Sequence, residues 1–422
     1  MKTQTDPCYI EVILQLQDNM LRQWLGDMLT SFPTTRMAFA YGSGVFAQQT
    51  AAETRASTRS GEDPPMIDLV LVVDDPVTWH EENILKNRHH YSFAAYGGAP
   101  LVARLQDTAA RVWYNALVPV PAPWGDGRQL MKYGVISSKA LEEDLRTWSS
   151  FYISGRMQKP VAWIDGYEMK IAAATPETQY DKVGVEHLAT AGEVNLRGAV
   201  AAALLLLPER FTEGQLYETI TGLSYAGDFR MAIAENPDKV RNIVHSPGSP
   251  LRFHGLYAHI LQEMEARSML RRLDLGSTTI DRNDDAQILG GVYEQDISTL
   301  GITNVLRCIP MDCQQRMSVH IDVQYGNVNM GFLLNDPHAK MVQYRSTEND
   351  IGVLYTKLEE QLEEWGQKDI EKVVEITAKA MQLTLSTIVS QTALQQTMKG
   401  LASAGVTKSA VYSMNKIRKR LK

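Results

Sequence analysis

Residues 66–75 read Met-Ile-Asp-Leu-Val-Leu-Val-Val-Asp-Asp, an apolar run opened by one carboxylate, Asp68, and closed by two, Asp74 and Asp75. Such a β-branched stretch, apolar on both faces, predicts a strand buried on both sides. A carboxylate at the start of a buried strand is costly unless it is paired or bound to a cation. Upstream, Met37 to Ala40 forms another short apolar run, and Tyr41-Gly42-Ser43-Gly44 follows it directly. Glycines allow a sharp turn out of a strand and let backbone N–H groups approach a triphosphate, and the Ser43 hydroxyl adds a donor. By itself a Gly-Ser-Gly turn is also compatible with no ligand. The strand-borne Asp68 that follows favours a phosphate loop with a metal carboxylate behind it.

Alternation along the strand sets Asp68, Val70, Val72 and Asp74 on one face, but Asp74 would lie roughly 20 Å from Asp68. The two cannot share one ion on a straight strand. Asp75 before Pro76 reads instead as an N-cap with proline at the first helical position. In the helix so begun, His80, Asn83 and Asn87 share a face by spacing. That polar stripe is either a nucleotide contact or a solvated surface. Ala51 to Pro65, rich in Ser, Thr, Glu, Gly and Pro, reads as a mobile loop.

Short β-rich runs at Arg111 to Val120 and Gly134 to Ile136 alternate with helical stretches, so the chain to about Ile164 is a mixed α/β unit. Leu141, Leu145, Trp148 and Tyr152 make a core-facing helical stripe, with Gly155 expected at the C-terminal cap. Arg156 and Lys159 follow it, as surface charge or as clamps on anionic oxygens. From about Glu186 to Arg271 the pattern is helical, and Gly198 to Leu207 (GAVAAALLLL) is a buried helix rather than a membrane span. Asp274 to Met341 gives no assignable pattern, and Leu354 to Met398 is mostly helix-favouring.

At 422 residues the chain has room for two or three domains. Its three cysteines, Cys8, Cys308 and Cys313, form neither a disulfide framework nor a zinc spacing. The first thirty residues carry four acids against Lys2 and Arg22, so no Arg-rich targeting segment is legible. The net charge of −7 is uneven, because no Asp or Glu occurs after Glu375. Lys379, Lys399, Lys408, Lys416, Arg418, Lys419, Arg420 and Lys422 give that end +8, leaving −15 on the rest. An acidic body is a poor non-specific binder of nucleic acid, whereas the basic end suits an anionic surface. Ala410, Met414, Ile417 and Leu421 form one helical face there among the cations, predicting an amphipathic membrane-contacting helix.

YGSGVF, MIDLVLVVDDPVTWHEENILKNRHHYS, KYGVIS, DLRTWSSFYISGRMQKPV and GLSYAGDFRM occur in that order between about Phe32 and Ser246, and a related stretch begins near Gln391. Together they resemble the mitochondrial translocator assembly and maintenance family, the mitochondrial phosphatidate cytidylyltransferases. The stretch from about Met264 to Thr377 carries no such resemblance and is expected to be lineage-specific. The resemblance implies an α+β chain: a polymerase β-like nucleotidyltransferase domain (1–180), then a helical, winged-helix-like domain with an unassigned insert (181–350). A C-terminal helical region with the basic tail (351–422) completes it. It also implies transfer of CMP from CTP to phosphatidate, giving CDP-diacylglycerol and pyrophosphate for cardiolipin synthesis on the matrix side of the mitochondrial inner membrane. Gly42 and Ser43 match the triphosphate loop, and Asp68 the catalytic carboxylate that holds Mg²⁺. Gly44, Asn83, Asn87, Lys132, Arg156 and Lys159 complete the candidate nucleotide-binding set. Val70 stands where this fold normally carries a second metal-binding Asp.

Phosphatidate's phosphate is already anionic and needs no general base, which agrees with the lack of a Ser/His/Asp or Cys/His constellation. Two alternatives remain open on sequence alone. One is an RNA-directed nucleotidyltransferase of the same fold, which the acidic body disfavours. The other is a non-catalytic membrane-associated assembly factor, motivated by the missing second Asp.

Overall fold

A computed structural model describes residues 20–46, 65–121, 128–164, 182–233, 237–273, 285–325 and 370–404. The expected mobile loop (51–65), apart from Pro65, and the expected amphipathic tail (408–422) lie outside those residues.

The apolar run around Asp68 is the central strand of a five-stranded sheet. In chain order the strands are β1 (Met37–Tyr41), β2 (Ile67–Val73), β3 (Val112–Pro121), β4 (Arg128–Ser137) and β5 (Ala162–Trp163), arranged β3-β4-β2-β1-β5. β2 pairs antiparallel with β1 and parallel with β4. Both its faces are covered, which accounts for the unbroken hydrophobicity. Ile67, Leu69, Leu71 and Val73 enter one core with Trp79 and Tyr133, while Val70 and Val72 enter another with Phe39, Leu141 and Leu145.

The first cover comes from a helix at residues 20–29 (α1), from α2 (Pro76–Lys86) and from α3 (Gly98–Gln106). α2 begins as expected: the Asp75 carboxylate accepts from the N–H of Val77, with Pro76 in the first turn. Asp74 pairs with Arg36 at 2.6 Å and accepts from Ser138, so it is structural. On the opposite face lies α4 (Ser138–Thr147).

α4 ends earlier than the apolar stripe suggested. Trp148 takes the left-handed conformation (φ 57°) and closes the helix. The cause is Asp144, whose carboxylate accepts from the backbone N–H groups of Ser150, Phe151, Ile153 and Ser154 and from the Ser150 hydroxyl. Those bonds hold a tight turn that delivers the short helix α5 (Ser154–Met157). Gly155 is therefore inside α5 and not a cap. A Cβ there would stand 2.7 Å from the Cβ of Ser224, so glycine permits the close approach of the two segments.

A second core gathers around α6 (Lys182–Leu206), α7 (Glu213–Leu223), α8 (Phe229–Ile233), α9 (Lys239–His245) and α10 (Ser249–Ala266). Gly198 to Leu206 lies within α6, and Ala199 to Leu205 are buried. No helix among the described residues is long and apolar enough to cross a membrane. The region without an assignable pattern contributes β8 (Val292–Gln295), which joins β6 (Arg210–Thr212) and β7 (Leu270–Leu273) in a three-stranded sheet ordered β6-β8-β7. It also contributes α11 (Asp285–Leu289), α12 (Thr299–Leu306) and α13 (Met311–Tyr325).

α14 (Ile370–Ala404) packs into this second core through Val373, Ile376, Met381, Leu385 and Ile388. Its last turns reach back to the first unit: Gln396 donates to the carbonyl of Val112, and the Lys399 ammonium donates to those of Gln106 and Thr108. Trp148 crosses the other way, donating to Asn195 at 2.8 Å. The C-terminal helix is thus part of the core and ties both units together. Cys308 and Cys313 are free thiols.

Candidate active site

Asp68 sits at one end of β2, where register alone assembles neighbours around it. Tyr41 faces it from β1 and Lys132 from β4. The Lys132 ammonium is 3.4 Å from the Asp68 carboxylate and 4.3 Å from the centre of the Tyr114 ring. After Tyr41 the chain turns at Gly42 (φ 81°), and the carbonyl of Gly42 accepts from the N–H groups of Val45 and Phe46. A Cβ on Gly42 would lie 3.4 Å from an Asp68 oxygen, so the turn rests against the carboxylate. Gly44 passes so close to Met66 that any side chain would meet its backbone carbonyl. Ser43 is exposed at the tip.

Arg156 closes the other side, its guanidinium 4.0 Å from the centre of the Tyr41 ring. Its Nε is buried and has no hydrogen-bond partner among the described residues. Lys159, one turn on, is buried and donates to the carbonyl of Gly155 and to the Ser224 hydroxyl. Burial holds its pKa well below the usual lysine range, and the nearby charges of Arg156 and Lys239 push it further down. From the second unit come Ser224, Tyr225, Asp228 and Arg230, which line a small cavity with Arg156 and Lys159. Lys239 lies over the Tyr225 ring at 4.9 Å. Arg230 is paired with Asp228, with contacts down to 2.7 Å. Burial would raise the pKa of Tyr152, but Lys132, Arg230 and Arg156 outweigh it and the phenol is held below its ordinary value.

Lys132, Arg156, Lys159, Arg230 and Lys239 thus converge on one region, with the carboxylates of Asp68 and Asp228 among them. Cations gathered out of water repel one another unless an anion joins them. The arrangement is therefore built for phosphate. Among the described residues no group of three or more metal-ligating side chains occurs, and Asp68 is the carboxylate that stands beside the Gly42 turn. That fits magnesium, which is commonly held by one or two carboxylates together with substrate phosphates.

Gly42, Asp68, Lys132, Arg156 and Lys159 are brought together as expected from sequence. Asn83 and Asn87 are not. Asn83 is fully buried and donates to the hydroxyls of Tyr91 and Tyr133, and Asn87 donates to Asn83 and to the carbonyl of Ser31. Tyr133 follows Lys132 on β4, so its side chain leaves by the opposite face of the sheet. The polar stripe of α2 is neither a ligand contact nor a solvated face. It is a buried network beneath the sheet, to which His80 adds bonds to Tyr91 and Gln106, each at 2.8 Å. Tyr41, Tyr114, Tyr152, Tyr225 and Lys239 were not anticipated. Tyr41, Tyr152 and Tyr225 had a signal through their places in YGSGVF, DLRTWSSFYISGRMQKPV and GLSYAGDFRM, but no role in the site was read from it.

Comparison with known proteins agrees with this chemistry. A family model described as phosphatidate cytidylyltransferase, mitochondrial, matches residues 25–419. The chain belongs to that family. A mitochondrial phosphatidate cytidylyltransferase of Xenopus laevis is 35% identical over 397 residues, 94% of each chain. The Bos taurus protein of that name is 35% identical over 397 residues, 94% of this chain and 93% of its own. The Homo sapiens protein is 39% identical over 262 residues, 62% of this chain and 51% of its own. The family match runs through 264–377, which corrects the expectation of a lineage-specific insert. Its described parts, 264–273, 285–325 and 370–377, are a structural portion of this phosphatidate cytidylyltransferase family member, supplying a central strand and several core side chains.

Proposed function

We propose that this chain is a phosphatidate cytidylyltransferase whose reaction takes place between the Gly42 turn and the Arg156–Lys159 segment. An anionic phosphate oxygen of phosphatidate attacks the α-phosphorus of CTP, the bond to the β-phosphate oxygen breaks, and CDP-diacylglycerol and pyrophosphate result. No proton has to be removed from the attacking oxygen. The protein's task is alignment and neutralisation of charge. Asp68 is the carboxylate that would hold Mg²⁺ against the triphosphate, and Mg²⁺ when bound supplies charge neutralisation. Gly42, Ser43 and Gly44 would present backbone donors to the triphosphate, with Lys132 beside them. Arg156 and Lys159 would hold phosphate oxygens. The observation that carries this reading is the convergence of Lys132, Arg156 and Lys159 beside Asp68 and the Gly42 turn, with a buried Arg156 Nε that has no hydrogen-bond partner among the described residues.

The Gly-Ser turn leading to a carboxylate on β2, inside a mixed sheet, supports a polymerase β-like nucleotidyltransferase unit. The small β6-β8-β7 sheet packed among α7, α10 and α11 supports a winged-helix-like second unit. The basic end of the chain supports a peripheral position on an anionic membrane, which for a mitochondrial family in cardiolipin synthesis means the matrix face of the inner membrane. The test is to incubate pure protein, labelled CTP and Mg²⁺ with phosphatidate liposomes in one tube and tRNA in another. Labelled lipid is the expected product. Labelled RNA selects the alternative transferase, and no product the assembly factor.

A further inference from the structure

Residues 83–106 contain no Asp or Glu, and none occurs after Glu375. The structure brings these two stretches together, because the Lys399 ammonium near the end of α14 donates to the carbonyls of Gln106 and Thr108 at the end of α3. α14 also touches the turn that precedes α3, Phe93–Gly97. On these acid-free elements sit six large apolar side chains turned to solvent. Phe93 is 64% and Tyr96 86% exposed, with Leu85 at 81%, Leu101 at 41%, Leu394 at 55% and Met398 at 64%. Clustered apolar exposure of this kind marks an interaction surface. Within residues 83–106 its charged members are Lys86, which pairs with Glu82 at 3.9 Å, Arg104, and Arg88, whose guanidinium lies 4.4 Å from the centre of the Tyr96 ring.

We propose that this surface seats the protein on an anionic phospholipid bilayer, with Phe93 and Tyr96 entering the headgroup region. Aromatic rings flanked by basic side chains suit that boundary, since the ring enters the apolar edge while the cation stays with lipid phosphates. The sequence beyond Ala404 carries Lys408, Lys416, Arg418, Lys419, Arg420 and Lys422 with no acid among them. The position also serves the reaction. Val389, Thr392 and Ala393 of α14 line the Arg156–Lys159 cavity, and Leu394 and Met398 lie within two turns of them on the same helix. α14 thus links the patch to the cavity that holds Arg156 and Lys159, although Phe93 and Tyr96 belong to the cover of the opposite sheet face. This inference rests on phosphatidate being the substrate, but membrane seating is measured without turnover.

The experiment compares the full chain with Phe93→Ser/Tyr96→Ser and, separately, Leu394→Gln/Met398→Gln, by flotation with vesicles of phosphatidylcholine containing phosphatidate and with vesicles of phosphatidylcholine alone. Transfer to a dispersed short-chain phosphatidate serves as the control for folding. Wild type should float with the anionic vesicles. Because burying one aromatic side chain is worth more than a tenfold change in an equilibrium constant, the first variant should float at least about tenfold more weakly. It should also lose activity on vesicles and retain it on the dispersed lipid. Equal flotation of wild type and both variants overturns the proposal, as does a shift in oligomeric state on substitution with flotation unchanged, which would assign the surface to a second copy.

Discussion

Arg156 and Lys159 are held where cations are expensive, and that expense is the argument for their role. Arg156→Ala or Lys159→Ala removes a charge-assisted contact to phosphate worth about 1.5–3 kcal/mol, so kcat/KM should fall by roughly 10- to 100-fold. Unchanged kinetics in both variants would return the two residues to surface chemistry. His80 makes an independent prediction. Burial lowers its pKa from 6.5 to about 4, although the Gln106 bond opposes the shift. Below about pH 6.5 the unfolded chain takes up a proton that the folded one refuses, so stability is full above that pH and declines as pH falls toward about 4. The total is on the order of 3 kcal/mol. Denaturant titrations at several pH values should show this slope, and His80→Gln should flatten it; an unchanged slope would remove His80 as the cause. Asp68 and Gly42 were legible because a carboxylate in an apolar strand, with glycines before it, announces a local need, whereas Arg156 and Lys159 could not be told from surface charge by their place in the sequence. Asn83 and Asn87 were misread because helical spacing tells which side chains share a face but not what covers it. Their partners, Tyr91, Tyr133 and Ser31, come from elsewhere in the chain.

At the level of elements, the joint between α4 and α5 decides where those cations point. Asp144 gathers four backbone N–H groups and a hydroxyl from the turn, and nothing else among the described residues takes its place. Asp144→Ala leaves buried donors unsatisfied and should cost at least about 3 kcal/mol. Asp144→Asn should do measurable harm too, since its amide turns a donor toward N–H groups. The expected signature is a lowered melting temperature together with a raised KM in whatever protein remains folded. A melting temperature within a degree of wild type would contradict the account. The sequence could not show this turn, because its apolar stripe continues through Trp148 and Tyr152 as a longer helix would. A single side chain overrides that periodicity by offering backbone donors a better partner. β2 and α2 were legible for the opposite reason: their signals, an apolar run and an Asp-Pro start, are entirely local.

Across the whole molecule, the site is completed from two units and then tied by α14. Asp68 and the Gly42 turn come from the first sheet, Ser224 to Arg230 from the second unit, and Val389 to Ala393 from the C-terminal helix. That assembly was only partly legible. The motifs appeared in order, but the pairing of β8 with β6 and β7 joins segments far apart in sequence, and four-residue strands carry little periodicity of their own. The same non-local packing makes the helix around residue 390 part of the site and not a separate appendage. The central claim is that this assembled site moves CMP. It is tested most directly by a single-turnover reaction with α-labelled and γ-labelled CTP, saturating Mg²⁺ and phosphatidate vesicles, run on wild type and on Asp68→Asn. Loss of that one charge should remove the metal's protein carboxylate while scarcely altering volume. The account predicts α-label in the lipid and γ-label in pyrophosphate for wild type, and no labelled lipid from an Asn variant that melts like the parent. Near wild-type transfer by Asp68→Asn, or γ-label appearing in the lipid, would contradict it.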